Sequence, residues 1–176
     1  MQPTVLEIAA AAVRARKRIA AGIYETPLIP SQIDYKPNGT KLLFKAENFQ
    51  LTGSFKLRGA MTKMSKRGSG DDNSLITASS GNHGIGAACA AQRLGKSLTV
   101  VLPETVVPAK LNRIKSYGAN VILHGAETGL AEKHAQQLAL SGPYTYLSPY
   151  NDSDITNAAA AAAAWTTSSS RWEAAG

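Results

Sequence analysis

Leu75-Ile-Thr-Ala-Ser-Ser-Gly-Asn-His-Gly-Ile-Gly-Ala-Ala-Cys-Ala-Ala-Gln-Arg-Leu-Gly-Lys-Ser-Leu-Thr-Val-Val-Leu102 carries one complete strand–helix–strand unit. A short strand lies around Leu75 to Thr77 and a small-residue turn follows it. A helix runs from Gly81 to Leu94, Gly95 stops it, and a second strand covers Ser97 to Leu102. The same alternation extends in both directions. Downstream come a helix at Pro108 to Tyr117 stopped by Gly118, a strand at Asn120 to Leu123, and a helix at Glu127 to Leu140 closed by Gly142-Pro143. Upstream, a helix runs from Ser54 to about Arg67 and ends in the polar breaker Gly68-Ser-Gly-Asp-Asp-Asn73. Strands alternating with helices across short connections imply right-handed crossovers. The fold class is therefore α/β, a parallel twisted sheet with helices on both faces.

The first third of the chain is less regular. Residues 4 to 21 predict an amphipathic helix whose docking stripe is Val5, Ile8, Ala9, Ala12 and Val13, with the arginines largely elsewhere. Pro27 and Pro30 impose an extended segment, and Lys36-Pro-Asn-Gly39 predicts a turn. Lys41 to Glu47 alternates apolar and charged residues as a half-buried strand does.

Composition narrows the function classes. The 176 residues are 44% hydrophobic, enough for one ordinary domain or two small ones. No apolar run is long enough to span a bilayer, and Met1 to Ala12 lacks the basic leader of a secretory signal. The single Cys89 excludes a disulfide within the chain and reads as a small core residue. A cytoplasmic location is the expectation. The net charge of +7 is spread from Arg14 to Lys133 with few interleaved aromatics, so solvated helix faces explain it and no nucleic-acid partner is expected. His83, His124, His134 and Cys89 form no close metal-ligand set, and the acidic residues lack calcium-loop spacing.

Two motifs carry chemistry. The first is Glu47-Asn-Phe-Gln-Leu-Thr-Gly-Ser-Phe-Lys-Leu-Arg-Gly-Ala60, which sets Lys56 between a strand and a helix, after the aromatic Phe55. Only an unprotonated amine attacks a carbonyl. A lysine in water has a pKa of about 10.4, so one that forms a Schiff base is partly desolvated or set beside positive potential. Phe55 and a helix start are the features expected to supply them. Taken alone, Lys56 reads as a solvated lysine in the first turn of a surface helix. The second motif is Ser79-Ser-Gly-Asn-His83, at the carboxyl end of a strand where the next helix begins. Backbone N–H groups and the helix dipole there favour an anion, and Gly81 allows close approach. Such a turn is common where no ligand binds. By residue type alone, both bland readings stand. The glycine spacing around Ser80 is wrong for a serine-hydrolase elbow.

In that order and spacing, the Lys56 motif and Thr77-Ala-Ser-Ser-Gly-Asn-His-Gly-Ile-Gly86 resemble the fold-type II pyridoxal-phosphate enzymes, most of all their threonine/serine dehydratase and serine racemase group. Tyr24-Glu-Thr-Pro-Leu-Ile29 is similar to that group's early Thr-Pro-Leu element, and the likeness runs to about Ile155. The resemblance implies that Lys56 bonds to pyridoxal 5'-phosphate and later removes the Cα proton. It implies that Asn82 hydrogen-bonds the cofactor's ring hydroxyl, that Phe55 packs near the cofactor, and that Ser79, Ser80, Gly81, Asn82 and His83 hold the substrate carboxylate. His83 also reads as a solvated or capping side chain, with substrate contact the preferred role. The implied reaction converts a β-hydroxy amino acid to a 2-keto acid and ammonia. Serine at position 80, opposite the lysine, permits racemisation, since serine racemases carry serine there.

By the same resemblance, residues 1–55 are the N-terminal segment of the larger cofactor domain and residues 56–150 a small α/β domain. Residues 151–176, with seven alanines at 158 to 164, are expected to be a low-complexity, aberrant tail. Family members continue instead with a glycine-rich loop that cups the phosphate, and later with a serine or cysteine facing the pyridine nitrogen. The expectation is a truncated member with impaired turnover. The alternative is a noncatalytic fragment whose exposed apolar face binds a partner, and a homo-oligomer is left open.

Overall fold

The computed structural model describes residues 4–32, 42–66 and 74–149. The turn expected at Lys36 to Gly39, the breaker at Gly68 to Asn73 and the tail at 151–176 lie outside the described residues.

Helix α1 (Val5–Ile19) begins at a capping box, in which the Thr4 hydroxyl accepts from the Glu7 amide and Glu7 accepts from the Thr4 amide. Its buried face corrects the stripe expected from sequence. Ala12, Ala15 and Ile19 are buried and Ile8 is half-buried, whereas Ala9 is exposed and Val13 is 54% exposed. The helix docks through its C-terminal half, so the residues that repeat toward Ile19 decide which face turns inward.

Strands β1 (Leu28–Pro30) and β2 (Leu43–Lys45) pair antiparallel, with Ile29 opposite Phe44. The half-buried strand expected over Lys41 to Glu47 is shorter than that, and Leu43 and Phe44 are both exposed. No third layer covers this ribbon among the described residues, so alternation along it does not become burial. A 3₁₀ turn at Glu47–Phe49 then leads to α2 (Lys56–Ser65).

The main sheet contains β3 (Ser74–Ala78), β4 (Leu98–Leu102), β5 (Asn120–Leu123) and β6 (Tyr144–Tyr146), in the order β5-β4-β3-β6 and all parallel. Helices α3 (Asn82–Arg93), α4 (Pro108–Ser116) and α5 (Thr128–Ser141) connect them. Alternation along the strands divides the core. Leu75, Leu98, Val100 and Leu102 pack with α1, α2, α3 and α4 on one face. Ile76, Ala78 and Val101 pack with Ala131 and Ala135 of α5 on the other. Helices thus lie on both faces, as the alternating pattern predicts. Gly95 and Gly118 sit at φ +62 and +77, the left-handed conformation that ends α3 and α4 without a Cβ penalty. Strand β6 is the element sequence reading missed. Three residues after Gly142-Pro143 show no period of their own, and they become a strand only by pairing with β3, Ser74 opposite Tyr144.

Candidate functional site

The strand order reverses at β3. The chain leaves β3 through α3 toward β4 on one face, and reaches β6 on the other side of β3 through α5 on the opposite face. In open parallel sheets ligands bind outside the carboxyl ends of the strands at such a switch point. Two segments meet there: the Ser79–Gly81 turn after β3 and the Leu147–Pro149 stretch after β6.

The turn is held by its own side chains and by a glycine. The Gly81 amide donates to Ser79 Oγ at 3.2 Å, and the Ile85 amide donates to the Gly81 carbonyl at 3.2 Å. A Cβ on Gly84 would stand 2.0 Å from the Ser79 carbonyl oxygen, so only glycine lets the helix start this close under the turn. At Gly81 a Cβ would meet only Ser79 Oγ, at 3.8 Å. Helix α3 has no side-chain cap, which leaves its positive end directed at the switch point. Ser79, Ser80 and Gly81 are half-buried, Asn82 is exposed and His83 is buried. His83 Nε2 lies 3.1 Å from Thr77 Oγ1, and Thr77 Oγ1 donates to the Leu147 carbonyl at 2.7 Å. The His83 ring is therefore inside the protein, not the solvated or capping group that is its other reading.

Lys56 opens α2 and is half-buried. Its backbone amide donates to Ser54 Oγ at 3.3 Å. Its Nζ makes a long hydrogen bond of 3.4 Å to the Pro149 carbonyl and lies 5.3 Å from the Phe55 ring centroid, within cation–π range. Phe55 itself is 42% exposed. Gly86, one turn into α3, touches the backbone of α2. A Cβ there would fall 3.0 Å from the Leu57 amide nitrogen and 3.1 Å from the Lys56 carbonyl carbon. The amine and the turn thus share one end of the sheet, tied through Pro149 on one side and Gly86 on the other.

A buried polar network behind Lys56 fixes the start of α2. Arg58 presents two nitrogens to Glu47, Nε to Oε2 at 2.8 Å and Nη2 to Oε1 at 2.9 Å. Nη2 also donates to the Tyr24 carbonyl at 3.1 Å and to Thr26 Oγ1 at 3.3 Å, while Thr26 Oγ1 donates to Glu47 Oε1 at 2.6 Å. Lys45 Nζ donates to the Thr26 carbonyl, and Gln50 exchanges hydrogen bonds with both backbone groups of Tyr24. Burial pushes the Glu47 carboxyl up, but the hydrogen bonds from Arg58 and Thr26 and the nearby charges of Arg58 and Lys45 outweigh it and hold the group below the ordinary carboxylate range. Burial, the nearby Arg58 charge and the more distant Arg16 lower Lys45 against the opposing pull of Glu47 and Glu25. Thr26 lies in the segment Tyr24 to Ile29 and Glu47 and Arg58 in the segment Glu47 to Ala60, with no role legible from their residue types. The signal was their presence in both motifs, and the ion pair that joins them is visible only in three dimensions.

The group set suits an aldehyde-bearing anion. A half-buried primary amine beside an aromatic ring can take a carbonyl carbon, and an uncapped helix start with two hydroxyls can take a carboxylate or phosphate. Among the described residues, no group of three or more His, Cys, Asp or Glu side chains is placed to hold a metal ion, and no helix is long and apolar enough to cross a membrane.

Comparison with known proteins adds an independent finding. Residues 19–168 match the model of the family described as pyridoxal-phosphate dependent enzyme. A catabolic L-threonine dehydratase of Staphylococcus aureus is 40% identical over 141 residues, covering 78% of this chain and 40% of that protein. The serine racemase of Dictyostelium discoideum superposes with a TM-score of 0.78 at 31% identity, over 88% of this chain and 50% of that one. The processed form of threonine deaminase isoform 2 from Solanum lycopersicum gives 0.78 at 29% identity, over 90% and 44%. The chain thus spans about half or less of the length of each relative.

Proposed function

Because the chain belongs to the pyridoxal-phosphate dependent enzyme family, we propose that it serves a lyase reaction that converts threonine, serine or a related β-hydroxy amino acid to a 2-keto acid and ammonia. The observation that supports this reading is that Lys56 Nζ reaches the Pro149 carbonyl in the stretch after β6, while Gly86 of the helix that follows the Ser79–His83 turn packs on the Lys56 and Leu57 backbone. The threonine dehydratase and threonine deaminase among its relatives support the substrate class.

When bound, pyridoxal 5'-phosphate supplies an aldehyde for amines and a conjugated ring that takes up the electron pair left at Cα. Lys56 is the amine that would hold the aldehyde, and its free amine would serve as base for the substrate's Cα proton. Phe55 would pack beside the cofactor, and Asn82 would donate to its ring hydroxyl. The backbone N–H groups between Ser79 and His83 that are not already bonded, Gly81's being held by Ser79 Oγ, would hold the substrate carboxylate against the start of α3, where the helix dipole favours negative charge. A carboxylate fixed there would help hold the substrate's Cα–H bond toward Lys56. The Arg58–Glu47 pair would keep the first turn of α2 in place while the amine changes partners.

The test is to add pyridoxal 5'-phosphate to the chain, reduce with borohydride and map the modified residue by mass spectrometry. Modification at Lys56, absent in Lys56→Ala, with keto-acid release from threonine or serine, supports the reading; labelling spread over surface lysines with no release defeats it. A second reading, racemisation, rests on half-buried Ser80 in the turn and on the serine racemases among the structural relatives. D-serine formed from L-serine, and lost in Ser80→Ala while lyase activity persists, would favour it. A noncatalytic fragment would self-associate to the same extent with and without cofactor.

A further inference from the structure

Thr77 does more than fill a strand position. Its side chain is fully buried, and its Oγ1 makes two contacts, 2.7 Å to the Leu147 carbonyl oxygen and 3.1 Å to His83 Nε2. A hydroxyl owns one proton and two lone pairs. The Leu147 carbonyl can only accept, so the Thr77 proton is committed to it. The proton in the second contact must then come from the ring, which means that His83 donates Nε2–H to Thr77 Oγ1. In the neutral imidazole the other nitrogen, Nδ1, is consequently an acceptor.

We propose that Thr77 is a positioning residue that fixes His83 as its Nε2–H tautomer, so that the ring latches the ligand-facing turn to the end of β6 instead of donating to a ligand. Nε2–H is spent inside the protein, and an unprotonated Nδ1 has no proton to offer a carboxylate. The anion-holding capacity of the turn therefore falls to its main-chain N–H groups other than that of Gly81, which Ser79 Oγ takes up, and to the Ser79, Ser80 and Asn82 side chains. Latch and amine are mechanically joined. Leu147 lies two residues before Pro149, whose carbonyl receives Lys56 Nζ, so one short stretch after β6 is gripped by Thr77 at one end and by Lys56 at the other. The tautomer follows from hydrogen-bond chemistry alone, whereas its consequence for a carboxylate rests on the reading of the site given above.

The test is nitrogen-15 NMR of the histidine rings in the full 176-residue chain at neutral pH without cofactor, the His83 signals being assigned by their absence in His83→Gln. The expected spectrum has a pyrrole-like Nε2 bearing a slowly exchanging proton and a pyridine-like Nδ1. Thr77→Ser, which keeps the hydroxyl, should preserve that pattern; Thr77→Val, similar in shape, should give averaged tautomers or a rapidly exchanging ring proton. A wild-type proton on Nδ1, or an averaged wild-type pattern, overturns the proposal. So does a Thr77→Val spectrum identical to wild type. If Thr77→Val does not fold, wild type and Thr77→Ser decide. Failure of the cofactor to label Lys56 would defeat the site reading and leave the tautomer result standing.

Discussion

Gly86 lies against the first residue of α2: a Cβ placed on it would sit 3.1 Å from the Lys56 carbonyl carbon and 3.0 Å from the Leu57 amide nitrogen. Both atoms belong to helix backbone, which yields less readily than a side chain. Gly86→Ala is therefore expected to spread α2 from α3 by a few tenths of an ångström and to cost about 1–3 kcal/mol, read as a lower urea midpoint. Gly129, on α5, has nothing within 4 Å of its would-be Cβ. Gly129→Ala should be neutral or stabilising by about 0.5 kcal/mol, so equal losses at both positions would refute the contact argument.

Gly84→Ala is expected to be the more damaging change. Its Cβ would fall 2.0 Å from the Ser79 carbonyl oxygen, and no rotation of a side chain relieves an overlap with backbone. The turn must open. Hydrogen exchange should show faster exchange at the Gly81 and Ile85 amides, which are bonded to Ser79 Oγ and the Gly81 carbonyl in the native turn. Unchanged protection there would show that the turn does not depend on the glycine.

The Arg58–Glu47 pair sets a third expectation. The two side chains are only 3% and 13% exposed, so removing either leaves a charge with little access to water. Arg58→Ala should cost about 3–5 kcal/mol. Arg58→Lys should recover only part of that, because an ammonium cannot reproduce the two-pronged contact with Glu47. Full recovery by lysine would argue that charge alone matters.

The same pair predicts a pH dependence. Glu47 is held below the ordinary carboxylate range in the folded chain. Its contribution to stability is therefore complete above the unfolded carboxylate pKa of about 4.3 and is lost as pH falls through the lower folded value. Denaturation midpoints of wild type should decline below about pH 4, and Glu47→Gln should remove part of that slope. Parallel profiles for the two proteins would exclude Glu47 as a source.

Cys89 offers a probe of opening. Burial pushes its thiol up, against smaller opposing influences of Arg93, Tyr117 and Arg113. The side chain is 3% exposed. Reaction with an aromatic disulfide reagent at neutral pH should be slow in the native chain and fast in urea, at a native rate that rises in Gly86→Ala. Rapid native labelling would show that α3 is not packed as described.

Legibility in the sequence follows the range of the interaction. The α/β class, α2 to α5 and the strands at Leu75, Leu98 and Asn120 could be read because period and breakers are local: Gly95 and Gly118 end helices wherever the rest of the chain lies. The inward face of α1 was misjudged because Ala9 and Val13 are as apolar as Ala12 and Ala15, and only the partner surface selects among them. Lys56 and the Ser79–His83 turn stand out through the resemblance of their motifs to a known family. The Arg58–Glu47–Thr26 network was not, since none of its members is unusual alone.

From its residues alone the chain determined where α2 to α5 and three of the four sheet strands form and that the sheet is parallel, because these follow from backbone geometry and short-range spacing. The pairing of Lys56 with the Ser79–His83 turn rests on the resemblance of two motifs to a known family. Tertiary structure decided that Tyr144–Tyr146 becomes a strand beside β3, that Thr77 grips a carbonyl 70 residues away, and that Lys56 meets one 93 residues away. Such pairings depend on how the closed chain packs, and no local property of either partner announces them.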